Sequence, residues 1–207
     1  GDHIGILSKN CYHWIIADLA ISLGGYISVP YYASLPKDQL KEVLEKSDIK
    51  LLFAGKLDEW GNKGEALNDK LKVIKFPHYE GNAKVSVGEE WAELMNDKKE
   101  ATDYTLPKLD ELWTILFTSG TTGSPKGVML NYRNVAVVFR DEEKYNTLGI
   151  NELKEFRFFS FLPLNHVAER IVIESAALYK GGSISFGESI DTFVDNLKDT
   201  QPTVFFA

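Results

Sequence analysis

An α/β fold, with mostly parallel sheets flanked by helices, is predicted by two features of this 207-residue sequence. Apolar segments that read as buried strands alternate with amphipathic segments of helical period along the chain, the pattern of parallel sheets covered by helices. Glycine pairs, Gly24-Gly25 and Gly181-Gly182, fall where helices must stop before the next strand.

Each element follows in order. A strand is predicted over 3–7 and a helix over 10–24 that contains Trp14 and Cys11. Strand 26–31, helix 36–47 and strand 49–54 come next, then a strand over 72–76 and a helix over 89–98. Segments 56–70, 77–88 and 96–110 are charged and contain Gly or Asn, as loops do. The run Leu112-Trp113-Thr114-Ile115-Leu116-Phe117 reads as a buried strand over 112–117, and Val128-Met129-Leu130 as a short one over 128–130. Asn131 can cap a helix over 131–146. A strand over 156–162 is broken by Pro163, and Asn165 is a good N-cap for a helix over 165–180. Strand 183–186, helix 189–199 and strand 203–206 complete the chain. There is no internal repeat and no low-complexity tract.

Composition narrows the class. Hydrophobic content of 44% and charged content of 26% are those of an ordinary globular protein that can build a real core. A net charge of −7 opposes nonspecific binding to nucleic acid. The single cysteine, Cys11, cannot form an intrachain disulfide, which fits a reducing compartment and a cytoplasmic location. Within its helix it reads as a small core residue rather than a nucleophile. No signal peptide and no apolar run long enough to span a bilayer occurs. The chain lacks an initiator methionine and starts and stops inside apolar strands, so it reads as an internal piece of a longer protein.

The most informative segment is Phe117-Thr118-Ser119-Gly120-Thr121-Thr122-Gly123-Ser124-Pro125-Lys126-Gly127. Strand, donor-rich loop and strand make a device for holding polyphosphate. Glycines let backbone N–H groups approach an anion closely, hydroxyls add rotatable donors, and Lys126 adds a point charge. Pro125 stiffens the segment before the lysine. By composition alone such a cluster also describes a plain surface loop. It is not a Walker loop, since Gly127 and strand follow Lys126, and its glycine spacing is not that of a Rossmann fingerprint.

The order of these residues resembles the signature of the acyl-adenylate-forming synthetases, Tyr/Phe-Thr-Ser-Gly-Thr-Thr-Gly-x-Pro-Lys-Gly-Val, and matches it throughout. A second stretch, Phe161-Leu162-Pro163-Leu164-Asn165-His166-Val167-Ala168-Glu169-Arg170, is similar to the Leu-Pro-Leu-x-His-x-x-Glu-Arg segment of long-chain fatty acyl-CoA synthetases. From spacing alone this second stretch is a capped helix with a surface charge pair, His166, Glu169 and Arg170 lying near one another. No further His or Cys cluster supports a metal site there. The first ten residues, the run Val29-Pro30-Tyr31-Tyr32-Ala33-Ser34-Leu35-Pro36 and the end Gln201-Pro202-Thr203 also look like family segments. Departures are Asn131-Tyr132 where Thr-His is common, Tyr31-Tyr32 in place of Leu-Tyr, and a weakly matching region from Lys56 to Glu100.

The resemblance implies part of the N-terminal domain of such an enzyme, with sub-domains over 1–105 and 106–207. It implies that Thr118, Ser119, Gly120, Thr121, Thr122, Gly123 and Lys126 wrap the ATP phosphates. It further implies that Thr121 and Thr122 help place Mg²⁺, and that His166 borders the acyl and AMP pocket as the catalytic residue, with Glu169 and Arg170 ordering that segment. It implies an ATP-dependent fatty acid–CoA ligase whose partners are a carboxylic acid and CoA. Peripheral membrane contact through a long-chain substrate stays open. The family's Tyr-Gly-x-Thr-Glu and Thr-Gly-Asp segments do not occur in the sequence, so these residues alone are expected to be inactive and to self-associate. Two other readings are an adenylation domain serving a carrier protein, which the second motif disfavours, and a stand-alone phosphate-binding module.

Overall fold

The computed structural model describes residues 1–96, 98–102, 104–118 and 124–206. They form two compact units, Gly1–Leu130 and Asn131–Ala207.

The first unit is built on β1 (His3–Ser8), α1 (Tyr12–Leu23), β2 (Ile27–Tyr31), α2 (Lys37–Ser47), β3 (Leu51–Gly55), β4 (Lys72–Lys75), β5 (Glu89–Glu90), α3 (Trp91–Met95), β6 (Leu112–Thr118) and β7 (Lys126–Asn131). One sheet runs β5-β4-β3-β1-β2-β6-β7. The pairs from β5 to β6 are parallel, with Gly5 opposite Val29 and Leu52, and Ser28 opposite Thr114. The central strands are buried along almost their whole length, β2 at every position. That explains their unbroken apolar runs. Helix α2 buries Leu40, Val43, Leu44 and Ser47, one stripe of helical spacing, against a core that includes Leu7, Val29, Tyr31 and Leu52. A polar stitch crosses the sheet beneath α1. Ser28 Oγ donates to buried Asp18 at 2.5 Å, and Thr114 Oγ1 donates to the Ser28 carbonyl at 2.7 Å. Helix α1 ends at Gly24, and Gly25 takes φ +73°, the left-handed turn that glycine allows.

The second unit comprises α4 (Tyr132–Tyr145), β8 (Arg157–Ser160), α5 (Val167–Glu169), a π-helical stretch (Arg170–Ser175), α6 (Ala176–Lys180), β9 (Ser183–Phe186), α7 (Phe193–Thr200) and β10 (Val204–Phe205). Its sheet runs β10-β8-β9, all parallel. Its core gathers Phe139, Ile150, Phe158, Ile173, Ala176 and Val204. Asn131 caps α4, as expected from the sequence, and the Asn134 side chain returns a bond to the Asn131 N–H. Glu142, fully buried, accepts from the Leu148 and Ile150 N–H groups and pins the turn after α4.

Three differences from the sequence reading stand out. The expected helix 89–98 is β5 followed by the five-residue α3. Residues 89 and 90 are drawn into strand pairing by β4, helped by the Lys72–Glu89 and Lys75–Glu90 ion pairs. Trp91 then packs its ring against Phe53, Phe76 and His13. The expected helix 165–180 is three joined pieces with a π-helical middle. Its N-cap is His166, while Asn165 is buried before it. Cys11 is 1% exposed, as a small core residue should be, and stands at the N-cap of α1. The compact units divide after Leu130, since β6 pairs with β2 and so belongs to the first sheet.

Candidate functional site

The loop that carries the first motif leaves β6 and returns as β7, two neighbours in the first sheet. Thr118 is the last residue of β6 and Lys126 the first of β7, and both are exposed. Ser119, Gly120, Thr121, Thr122 and Gly123 lie outside the described residues. The stems are firmly built. Trp113 to Leu116 of β6 are buried, and Phe117 stacks on Tyr31 with ring centroids 6.5 Å apart. Gly127 sits against β6 so closely that a Cβ there would come within 2.9 Å of Ile115 Cγ2. A glycine after the lysine is therefore a packing requirement of β7.

Beside these stems lies a cavity of about 270 Å³ lined by Tyr32, Leu35, Gln39, Val43, Thr118 and Pro125 among others. The end of the loop is tied to α2. Ser124 Oγ donates to Glu42 Oε1 at 2.9 Å, and Lys46 Nζ donates to the same carboxylate at 2.9 Å and to the Pro125 carbonyl at 3.2 Å. Lys46 also reaches Ser124 Oγ. These bonds hold the Glu42 carboxyl below the usual carboxylate range, with Lys46 the larger cause and Ser124 the next. The sequence shows Glu42 and Lys46 only as an i,i+4 helix pair, and nothing in it points to Ser124 as their partner.

The second motif lies in the second compact unit. His166 is exposed, and its Nδ1 accepts from the Ala168 N–H at 3.3 Å. With Nδ1 as acceptor, the neutral ring carries its proton on Nε2, which is left as a donor. The Pro163 carbonyl accepts from the His166 N–H at 2.9 Å, which turns the chain into the helix.

Glu169 and Arg170 are not the surface charge pair that spacing suggests. Both are fully buried. Glu169 Oε1 accepts from Ser160 Oγ at 2.9 Å and from the Phe161 N–H at 3.0 Å, so it ties the end of β8 to the helix start. Its Oε2 has no hydrogen-bond partner among the described residues. Burial pushes its carboxyl up to about 7, against the two bonds that favour ionisation. Arg170 Nε lies 3.5 Å from Glu174 Oε2, an ion pair inside the unit. His166 thus faces solvent while its helix neighbours face the interior. Among the described residues no group of His, Cys, Asp and Glu is arranged to hold a metal, and no helix is long and apolar enough to cross a membrane.

Comparison with known proteins gives a consistent result. Residues 1–207 match the family described as AMP-binding enzyme. The chain is 30% identical over 215 residues to long-chain-fatty-acid–CoA ligase 1 of Homo sapiens, covering 98% of the chain and 31% of that protein. It is 32% identical over 216 residues to fatty acyl-CoA synthetase B of Dictyostelium discoideum, with the same coverage. The chain therefore spans about a third of the length of these curated relatives. Among solved structures, o-succinylbenzoate coenzyme A synthetase of Bacillus subtilis, in complex with ATP and magnesium ion, superposes with a TM-score of 0.73 at 20% identity. That match covers 99% of this chain and 50% of the other. The luciferase-like enzyme of the mealworm Zophobas morio gives 0.76 at 18% identity, covering 100% and 47%. At these identities the likeness is one of fold.

Proposed function

Because the chain belongs to the AMP-binding enzyme family, we propose that it is part of an ATP-dependent long-chain fatty acid–CoA ligase. In the first step a fatty acid carboxylate oxygen attacks the α-phosphorus of ATP. The bond to the β-phosphate oxygen breaks, and acyl-AMP and pyrophosphate form. In the second step the CoA thiol, giving up its proton to solvent, attacks the acyl carbon; the bond to the AMP phosphate oxygen breaks and AMP departs, leaving a thioester.

One observation carries this reading. The signature 117–127 begins on the buried strand β6 and ends on its edge neighbour β7, with Thr118 and Lys126 exposed at the facing ends. Hydroxyl, backbone and ammonium donors there suit phosphate oxygens. Thr118 to Gly123 and Lys126 are assigned to the leaving pyrophosphate, where fixed donors stabilise charge as it develops. Mg²⁺ would arrive with the phosphates and draw on the Thr121 and Thr122 hydroxyls. His166 is assigned to the edge of the acyl and AMP pocket, where its Nε2–H is free to donate. Neither step needs a general base from these residues. The choice of a long-chain fatty acid over another carboxylate rests on the 161–170 stretch and on the names of the relatives.

The test is fatty acid-dependent release of pyrophosphate by the full-length protein, with acyl-AMP trapped when CoA is withheld. Lys126→Ala is expected to lower kcat/KM for ATP by roughly 10²–10³, the effect of losing one preorganised donor. Full turnover by Lys126→Ala would remove the loop from the chemistry. Turnover of wild type with amino or aryl acids alone would remove the fatty acid.

A further inference from the structure

Helix α2 has two working faces. Leu40, Val43, Leu44 and Ser47 point into the core and fix the helix on the sheet. Gln39, Glu42, Val43 and Lys46, at i, i+3, i+4 and i+7, share an adjoining stripe. That stripe meets the end of the loop between β6 and β7. Gln39 and Val43 line the cavity beside Thr118 and Pro125, and Glu42 and Lys46 hold Ser124 and Pro125. Glu42 Oε1 accepts from both Ser124 Oγ and Lys46 Nζ, so the three side chains form one closed set of bonds.

We propose that Glu42 and Lys46 are positioning residues for the nucleotide loop. They fix Ser124 and Pro125 on a helix that the core holds rigid, and so set where Lys126 enters β7. The role rests on reading residues 118–127 as a phosphate loop. Exposed ion pairs contribute little to folding. Here the contacts instead fix Ser124 and Pro125 before ligand arrives, so the entry of Lys126 into β7 is set in advance.

The experiment uses the full-length protein and the variants Glu42→Gln, Lys46→Ala, Lys46→Arg, Ser124→Ala and Glu42→Gln/Ser124→Ala. Lys41→Gln, on the opposite side of α2, is the control. KM for ATP is expected to rise about three- to tenfold in Glu42→Gln and Lys46→Ala, from loss of a contact of this class. The KM for fatty acid and the thermal midpoint should stay close to wild type, a split that general weakening of the fold would not produce. Lys46→Arg should retain most of the wild-type value. The Glu42→Gln/Ser124→Ala double variant should match the worse single one, since Glu42 acts through Ser124. Hydrogen exchange of the Ser124 and Lys126 amides, without nucleotide, should quicken in Lys46→Ala and Glu42→Gln. Unchanged exchange, additive double-variant effects, or altered exchange with an unchanged ATP KM each overturns the role. If wild type itself fails to bind Mg-ATP, the phosphate-loop reading fails and the role falls with it, whereas failure of the role alone leaves wild-type binding intact.

Discussion

Replacing Glu169 by Gln should make the protein's stability less dependent on pH by a measurable amount. Glu169 is fully buried, accepts from Ser160 Oγ and the Phe161 N–H through one oxygen, and has no partner for the other among the described residues. Burial raises its folded-state pKa to about 7 from an ordinary 4.5. The folded protein therefore favours the neutral acid, while the unfolded chain ionises it freely. Below about pH 4.5 the group is protonated in both states and costs nothing. Between pH 4.5 and 7 the unfolded state gains from ionisation and the folded state does not, so stability falls as pH rises. It levels off above 7, once the folded carboxyl ionises too. At about 1.4 kcal/mol per pH unit the full span is about 3 kcal/mol. Glutamine keeps the acceptor oxygen and places an amide where the partnerless oxygen stood, without a titrating proton. Unfolding free energies from denaturant titration at half-unit steps from pH 4 to 8 would be compared as wild type minus Glu169→Gln. Groups elsewhere titrate in both proteins and cancel. The difference should decline by about 3 kcal/mol across the window. A flat difference, or one that grows with pH, would show that Glu169 is ionised in the fold and refute its assignment as a neutral buried acid.

His166→Ala should lower fatty acid-dependent pyrophosphate release in the full-length protein with a thermal midpoint close to wild type, because His166 is exposed and its side chain accepts a long 3.3 Å bond from the Ala168 N–H; normal turnover would reduce it to a helix cap. Gly88→Ala should destabilise the protein by about 3 kcal/mol in denaturant unfolding. Its φ is +102°, and a Cβ would meet the Val73 carbonyl oxygen at 2.5 Å, so backbone strain and steric overlap add; a loss under about 0.5 kcal/mol would mean that the β4–β5 edge yields freely.

Elements whose physics is local were legible in the sequence. The buried runs at 3–7, 49–54 and 112–117 became β1, β3 and β6, because a strand covered on both faces has no choice but to be apolar throughout. Helix α4 began at Asn131 since its cap is made by neighbours in sequence, and the glycine pairs stopped α1 and α6 where expected. What failed was decided by distant partners. Residues 89–90 have no strand signal of their own and became strand only because β4 offered an unpaired edge. The Thr118 and Lys126 ends of the loop were readable as donors at the mouths of two strands.

The anchor of that loop was not readable, for a related reason. A Glu–Lys pair four residues apart on a helix carries the same sequence signal whether it faces solvent or holds another segment. Only the stripe buried by Leu40, Val43, Leu44 and Ser47 orients α2, and that orientation then aims Glu42 and Lys46 at Ser124, 78 residues along the chain from Lys46. The burial of Glu169 and Arg170 has the same origin. Their spacing from His166 describes an exposed charge cluster, and the π-helical stretch with the β8 contact decides that they turn inward. Polar residues that serve a site by holding something else in place are identified by their partners, and those partners are set by tertiary packing. A sequence motif therefore marks the exposed donors Thr118 and Lys126 more readily than it marks Glu42 and Lys46, which bond to the same segment.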